Sequence, residues 1–217
     1  MMIYNRTYVN LRHTIEQTIS LPSLKRAVEN GEGQSMIRPF DEITIPLTDG
    51  GTAVAVCGYV DDHMARFVLK DCLWASYMNE RDTNAGGYAK SYARQYVLES
   101  IYPLFPDDLK DIITPRRLDD GINREICVDP IWIPSATDVF GPSVDGERWA
   151  AEPLDFQLPI FERPRDRVKE YCGDTVLWWL RSPTPTNATN FRTVSGNGGN
   201  GGVNSSISRG LAPGFDI

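Results

Sequence analysis

Two groups of residues in this sequence have the types and spacing that chemistry requires. The first is His63, which directly follows Asp61 and Asp62. Together with a serine such as Ser135 or Ser182 it offers the side chains of a nucleophile, a base and an orienting acid. No G-x-S-x-G elbow frames either serine, and nothing in the sequence order brings them to the histidine. His63 therefore reads as a solvated turn histidine. Glycoside hydrolysis would need two carboxylates set apart from the rest, and among 29 Asp and Glu none is singled out. Residues 196–202 are glycine-rich enough to cradle a phosphate. The following VNSSISRG is no helix, however, and no P-loop lysine accompanies it. Four cysteines with no C-x-x-C pair, and only two histidines, give no zinc-ligand pattern. The expectation is a protein without catalytic residues, metal or cofactor.

The second group lies in residues 184–208, TPTNATNFRTVSGNGGNGGVNSSIS, where eighteen of twenty-five residues are Asn, Gly, Ser or Thr. Such a composition usually marks a flexible linker. Here it stands between VLWWLRS (176–182), the strongest strand signal in the chain, and the apolar RGLAPGFDI (209–217). Pinned at both ends, it reads as a presented loop surface. Thr186, Asn187, Thr189, Asn190, Arg192, Asn197, Asn200, Asn204, Ser206 and Ser208 are the candidate ligand-binding residues. Trp178, Trp179, Leu180, Val194, Leu211, Phe215 and Ile217 are expected to hold the sheet beneath them, with Trp178 and Trp179 on opposite faces. Arg181 and Arg209 are expected to tie loop carbonyls or carboxylates. Short polar side chains supply adaptable hydrogen bonds but little apolar area, so each contact surface should bind weakly and gain from multivalency.

The rest of the chain must position that surface. Residues 1–40 read as an N-terminal arm with short helices: Leu11, Ile15, Thr18 and Ile19 recur at helical spacing, and residues 23–30 add a turn or two before Gly31. From residue 41 onward the pattern is that of one domain. EITIPL (42–47) and TAVAVCGYV (52–60) bracket Asp49-Gly50-Gly51 as a hairpin, and ARFVLKDCLW (65–74) is a third strand candidate. Tyr88, Tyr92, Tyr96 and Val97 form a helical stripe across residues 86–102, closed by Pro103 and Pro106. A short second helix follows at residues 106–109, and Ser135 caps the turn after the apolar start of residues 129–141. Residues 142–170, with their prolines and charges, read as an irregular excursion outside the core.

Whole-chain properties narrow the function classes. The chain has 217 residues, 41% of them hydrophobic and 24% charged, and five Trp and nine Tyr provide bulk for a sizeable core. A net charge of −7 with no basic cluster longer than a pair such as Arg116-Arg117 argues against a nucleic-acid partner. No run of about 18 apolar residues exists to span a membrane. The N-terminus lacks the apolar centre of a secretion signal, so a cytoplasmic or virion-associated location is expected. The four cysteines read as buried free thiols.

The motif WWLRSP…NFRTV…GLAPGFDI resembles a bacterial and phage domain family of unknown function ending in WWLRSP…N-F-R-x-V…G-x-x-P-x-F-x-I. That family is similar to C-type-lectin-fold proteins, which include formylglycine-generating enzymes and the variable proteins of diversity-generating retroelements. The resemblance implies an α+β, C-type-lectin-like fold with small mixed sheets, about two helices and much irregular loop. In the retroelement-linked members, adenine-directed mutagenesis turns AAC codons into NNC codons, which cannot encode Lys, Glu, Gln, Met or Trp. None of these five occurs in residues 183–217, and all occur upstream. The resemblance thus implies a non-enzymatic receptor-recognition protein whose partner is a protein or glycan on a host or target surface, acting as a homo-oligomer or phage tail component. Two alternatives stand beside it: a structural component of a phage or cell-surface assembly, and a formylglycine-generating-like enzyme with an unrecognised site. Against the latter, residues 173–217 contain no cysteine. Against calcium-dependent sugar binding, Glu152-Pro153 is followed by Leu154 and no Trp-Asn-Asp occurs.

Overall fold

A computed structural model describes residues 20–122, 126–143 and 148–217. The fold is α+β, built of small sheets, short helices and long connections. Helices α1 (Leu21–Glu29) and α2 (Gly33–Met36) precede strands β1 (Glu42–Pro46), β2 (Thr52–Val60), β3 (Ala65–Leu69) and β4 (Trp74–Ser76). Next come α3 (Tyr92–Tyr96), α4 (Asp107–Lys110), β5 (Arg116–Asp119), β6 (Ile126–Asp129), β7 (Ile131–Trp132) and α5 (Ala136–Phe140). The remainder holds β8 (Lys169–Tyr171), β9 (Asp174–Val176), β10 (Trp178–Pro183), β11 (Asn190–Val194) and β12 (Asn200–Asn204). Strands β13 (Arg209–Leu211) and β14 (Gly214–Asp216) complete it. One five-stranded sheet runs β1-β2-β3-β14-β7, the other β12-β11-β10-β13-β4, so the last two strands tie the sheets together.

The expected first hairpin forms. Gly50, at φ +90°, makes the turn, and β1 and β2 pair from Glu42↔Val56 to Pro46↔Thr52. Strand β14 inserts beside β3, stacking Phe215 on Phe67 with ring centres 5.2 Å apart. Ala65 and Ile217 exchange both backbone hydrogen bonds, at 3.0 and 2.8 Å. The two adjacent tryptophans do diverge: the Trp178 indole donates to the Arg167 carbonyl and the Trp179 indole to the Ser76 carbonyl. Among the described residues no helix is long and apolar enough to cross a membrane.

Several expectations are corrected. From Ser20 onward the expected arm belongs to the body of the domain, with Leu24, Val28 and Ile37 buried in the core. Leu11, Ile15, Thr18 and Ile19 lie outside the described residues. The tyrosine stripe does not lie on one helix. Ser91, extended at φ −75° and ψ 149°, ends a 3-10 turn at Lys90 and caps α3 by accepting from the Arg94 amide. Past Tyr96 the backbone widens into a π turn, Val97–Ile101. Tyr88 and Val97 are buried, whereas Tyr92 and Tyr96 stack half-exposed at the rim. Cys172 is not buried: it sits exposed at φ +54° in the turn between β8 and β9, while Cys57, Cys72 and Cys127 are buried thiols.

The excursion at 142–170 is the largest correction. Its described part contributes Trp149, Leu158, Ile160 and Phe161 to the core. It also delivers Glu152 and Asp155 to a buried ionic cluster beneath β10. Arg116 pairs with Asp138 at 2.9 Å and Asp155 at 2.6 Å, and Arg181 pairs with Asp138 at 3.2 Å and also with Asp155. Burial alone would raise the Asp138 pKa, but Arg116 and Arg181 outweigh it and hold the carboxyl well below its usual range. Glu152 accepts from the Ser182 hydroxyl and from the Thr137 amide at 3.0 Å. Burial pushes its pKa up to about 7, against the pull of Arg181. The excursion is thus a strap whose carboxylates answer buried arginines.

Candidate binding surface

The polar segment is not a loop between two strands. Most of it is the β11–β12 hairpin, which extends the second sheet outward from β10. Because side chains alternate along a strand, the hairpin divides its residues cleanly between two faces. Phe191 and Thr193, both fully buried, point inward and stand opposite Val203 and Gly201. Asn190, Arg192 and Val194 point the other way, opposite Asn204, Gly202 and Asn200. The strap crosses the Val194 end of this outer face: Phe161 packs on Trp178, and Pro164 lies against Gly198. What stays open is a polar patch of Asn190, Arg192, Asn200, Gly202 and Asn204.

One end of the patch is braced by a loop from far upstream. The Asn84 side-chain amide faces the carbonyls of Thr184, Asn187 and Asn190 at 3.1, 2.9 and 3.0 Å, fixing the turn that carries Thr186 and Asn187. Ser205, fully buried, accepts from the Thr83 amide at 2.8 Å and faces the Arg81 and Thr83 carbonyls. Beside it, Asp82 accepts from the Ser206 hydroxyl at 2.6 Å, the Ser206 amide at 3.2 Å and the Asn204 amide group at 3.1 Å. These hydrogen bonds, Ser206 first, lower the Asp82 pKa. The Thr189 hydroxyl lies 2.7 Å from Asn187 Oδ1 and 2.9 Å from Asn190 Oδ1.

Of the ten candidate residues, the structure gathers Asn187, Thr189, Asn190, Arg192, Asn200, Asn204 and Ser206 on or beside this face. Thr186 is exposed at the tip of the turn and Ser208 is exposed before β13. Asn197 does not join them. It sits in the opposite turn, where its Oδ1 accepts from Ser195 Oγ and the Gly199 amide and shapes the hairpin itself. Arg192 reaches across the strand pair to Asn200 Oδ1. The expected roles of Arg181 and Arg209 hold: the first ties carboxylates, the second the Ser208 carbonyl. Sequence reasoning missed Asp82, Asn84, Thr184 and Gly202. Nothing in the NERDTNAGG stretch (79–87) announces a partner about 100 residues away.

The residues weighed for catalysis serve other ends. Ser135 caps α5 by accepting from the Asp138 amide at 2.8 Å, and Ser182 accepts from the Ala136 amide at 2.7 Å while donating to Glu152. His63 stands in an Asx turn, its amide donating to Asp61 at 2.8 Å, with its ring over Gly31. It lines an open groove of about 320 Å³ with Lys25, Glu29, Thr114 and Asp216. Both oxygens of Asp216 are taken by Arg66 at 2.9 Å. Among the described residues no three of His, Cys, Asp and Glu converge as a metal site would require.

A family model described as a domain of unknown function, DUF6273, matches residues 65–217. No curated protein matches the chain, and no solved structure does. The matched span opens on the first residue of β3 and closes on its hydrogen-bonded partner Ile217, and it contains the whole β10–β12 surface. The chain belongs to the DUF6273 family.

Proposed function

We propose that this protein is a non-enzymatic receptor-recognition protein, a C-type-lectin-like variable protein of a diversity-generating retroelement in a phage or bacterium. Its outer β11–β12 face is the ligand-binding surface. One observation carries the reading: the face presents Asn190, Arg192, Asn200 and Asn204 outward over a fully buried floor of Phe191 and Thr193. Outward side chains can then be exchanged while the floor holds the fold. Asn, Thr, Ser and Arg, the types at all ten candidate positions, are each encoded by NNC codons. The pairing of Ala65 with Ile217, together with two small sheets joined by the last strands, supports the lectin-like assignment. The partner is a protein or glycan on a host or target surface, held weakly per copy and more firmly by an array of copies.

The test is to display the full chain multivalently on beads and probe arrays of surface proteins and glycans. A variant with alanine at Asn190, Arg192, Asn200 and Asn204 is run beside it. Binding that the wild type shows and the still-folded variant loses supports the reading; binding that both share refutes it. Exposed Ile122, Ile126 and Val128 along β5–β6 favour a second reading, that of an assembly component docked through that hairpin.

A further inference from the structure

The open patch has a gap at its centre where Gly202 carries no side chain. A Cβ built there would meet Arg192 Nη1 at 3.1 Å, Thr184 Oγ1 at 3.6 Å and Asn190 Nδ2 at 3.7 Å. Gly202 is exposed, so the gap opens to solvent. Thr184 is only 7% exposed, yet its hydroxyl, which borders the gap, has no partner. Arg192 Nε and Asn200 Nδ2 are also unpartnered. Native structures rarely leave buried polar atoms so, because a desolvated donor or acceptor is costly until something satisfies it. The charge acting on Arg192 is another cation: burial first and Arg148 second lower its pKa. An arginine whose partner is a neutral amide, bordered by a further amide and a hydroxyl, makes a local field that favours an anion.

The shape of the gap narrows the anion. A guanidinium is a planar fork that matches the two oxygens of a carboxylate. Around it, the Asn190, Asn200 and Asn204 amides can each donate and accept, as sugar hydroxyls require. The open patch offers no aromatic or aliphatic anchor of the kind a peptide side chain would use. We propose that Arg192, with Thr184 and Asn200 beside it, binds the carboxylate of an acidic sugar above Gly202. This rests on the ligand-binding reading of the same face and names its ligand class.

The experiment titrates the full-length, isotope-labelled protein with glucuronate and follows backbone amide signals. Methyl glucoside, N-acetylglutamate and inorganic phosphate serve as comparison probes. The Thr184, Asn200 and Gly202 signals should shift saturably with glucuronate, with a Kd on the order of millimolar. Arg192→Gln should weaken binding roughly tenfold to a hundredfold, as loss of a charge-assisted pair implies. Gly202→Ala fills the gap without changing charge and should weaken it comparably, while the remaining spectrum stays folded. Equal shifts with methyl glucoside, N-acetylglutamate or phosphate overturn the acidic-sugar assignment. Unmoved signals with glucuronate overturn the carboxylate site altogether. If the array binding survives that result and still depends on the face, the recognition reading stands without this ligand. If array binding is absent too, both fall.

Discussion

Glu152→Gln tests the buried cluster that fastens the strap under the binding surface. Glu152 is 4% exposed, and burial raises its pKa from 4.5 to about 7. Between those values the folded protein holds a proton that the unfolded chain has released. Stability from this group is therefore fully present below about pH 4.5 and is lost as pH rises through 7. The shift corresponds to about 3 kcal/mol across the window. Glutamine cannot ionise, so the variant lacks this descent. Relative to wild type it should gain about 3 kcal/mol between pH 5 and pH 8.5, or roughly 6–12 °C in Tm for a chain of this size. The absolute offset differs, because the glutamine amide must present its oxygen to either the Thr137 amide or the Ser182 hydroxyl. Only the change of the difference with pH matters. Urea melts of both proteins, read by tryptophan fluorescence at half-unit pH steps, measure it. A wild-type-minus-variant difference that is constant from pH 5 to 8.5 would refute the reasoning.

Other expected outcomes follow from the same geometry. Arg181→Met leaves Asp138, Asp155 and Glu152 buried with one cation fewer, and should lower stability by about 3–5 kcal/mol in the same urea assay. Gly198→Ala forces a side chain at φ +78° into the Pro164 carbonyl. It should cost at least about 1–3 kcal/mol and loosen the hairpin from the strap, seen as faster amide exchange in β11 and β12. Ser205→Ala leaves the Thr83 amide with the Arg81 carbonyl as its one acceptor and should cost about 1 kcal/mol, lowering the melting temperature. Asn204→Ala, on the outer face, should stay within about 0.5 kcal/mol of wild type by the same measure.

Much of the scaffold was legible because its signals are local. The Asp49-Gly50-Gly51 turn, the β-rich run of β2 and the paired tryptophans of β10 each declare their structure within a few residues. The hairpin of the binding face was legible as a surface but not as strands. Asn and Gly have low strand propensity, and β12 holds its shape through pairing with β11, which composition does not reveal. The strap was misread for a related reason: prolines break its periodicity, so Trp149, Leu158 and Phe161 show no helical or strand stripe. Glu152 and Asp155 look like solvent charges until Arg181 and Arg116 arrive from other elements. The braces at Asp82 and Asn84 and the gap at Gly202 depend on contacts with residues distant in sequence or on an absent side chain, and local pattern carries neither.

The most direct test of a recognition face laid over an independent floor is a saturation library of the full chain. Every variant is scored once for folding, by protease resistance, and once for capture by whichever array target the wild type binds. The account predicts that substitutions at Asn190, Arg192, Asn200 and Asn204 are near neutral for folding and damaging for capture. Those at Phe191, Thr193 and Ser205 should damage both together. Face positions as intolerant for folding as the floor, or neutral in both scores, would contradict it.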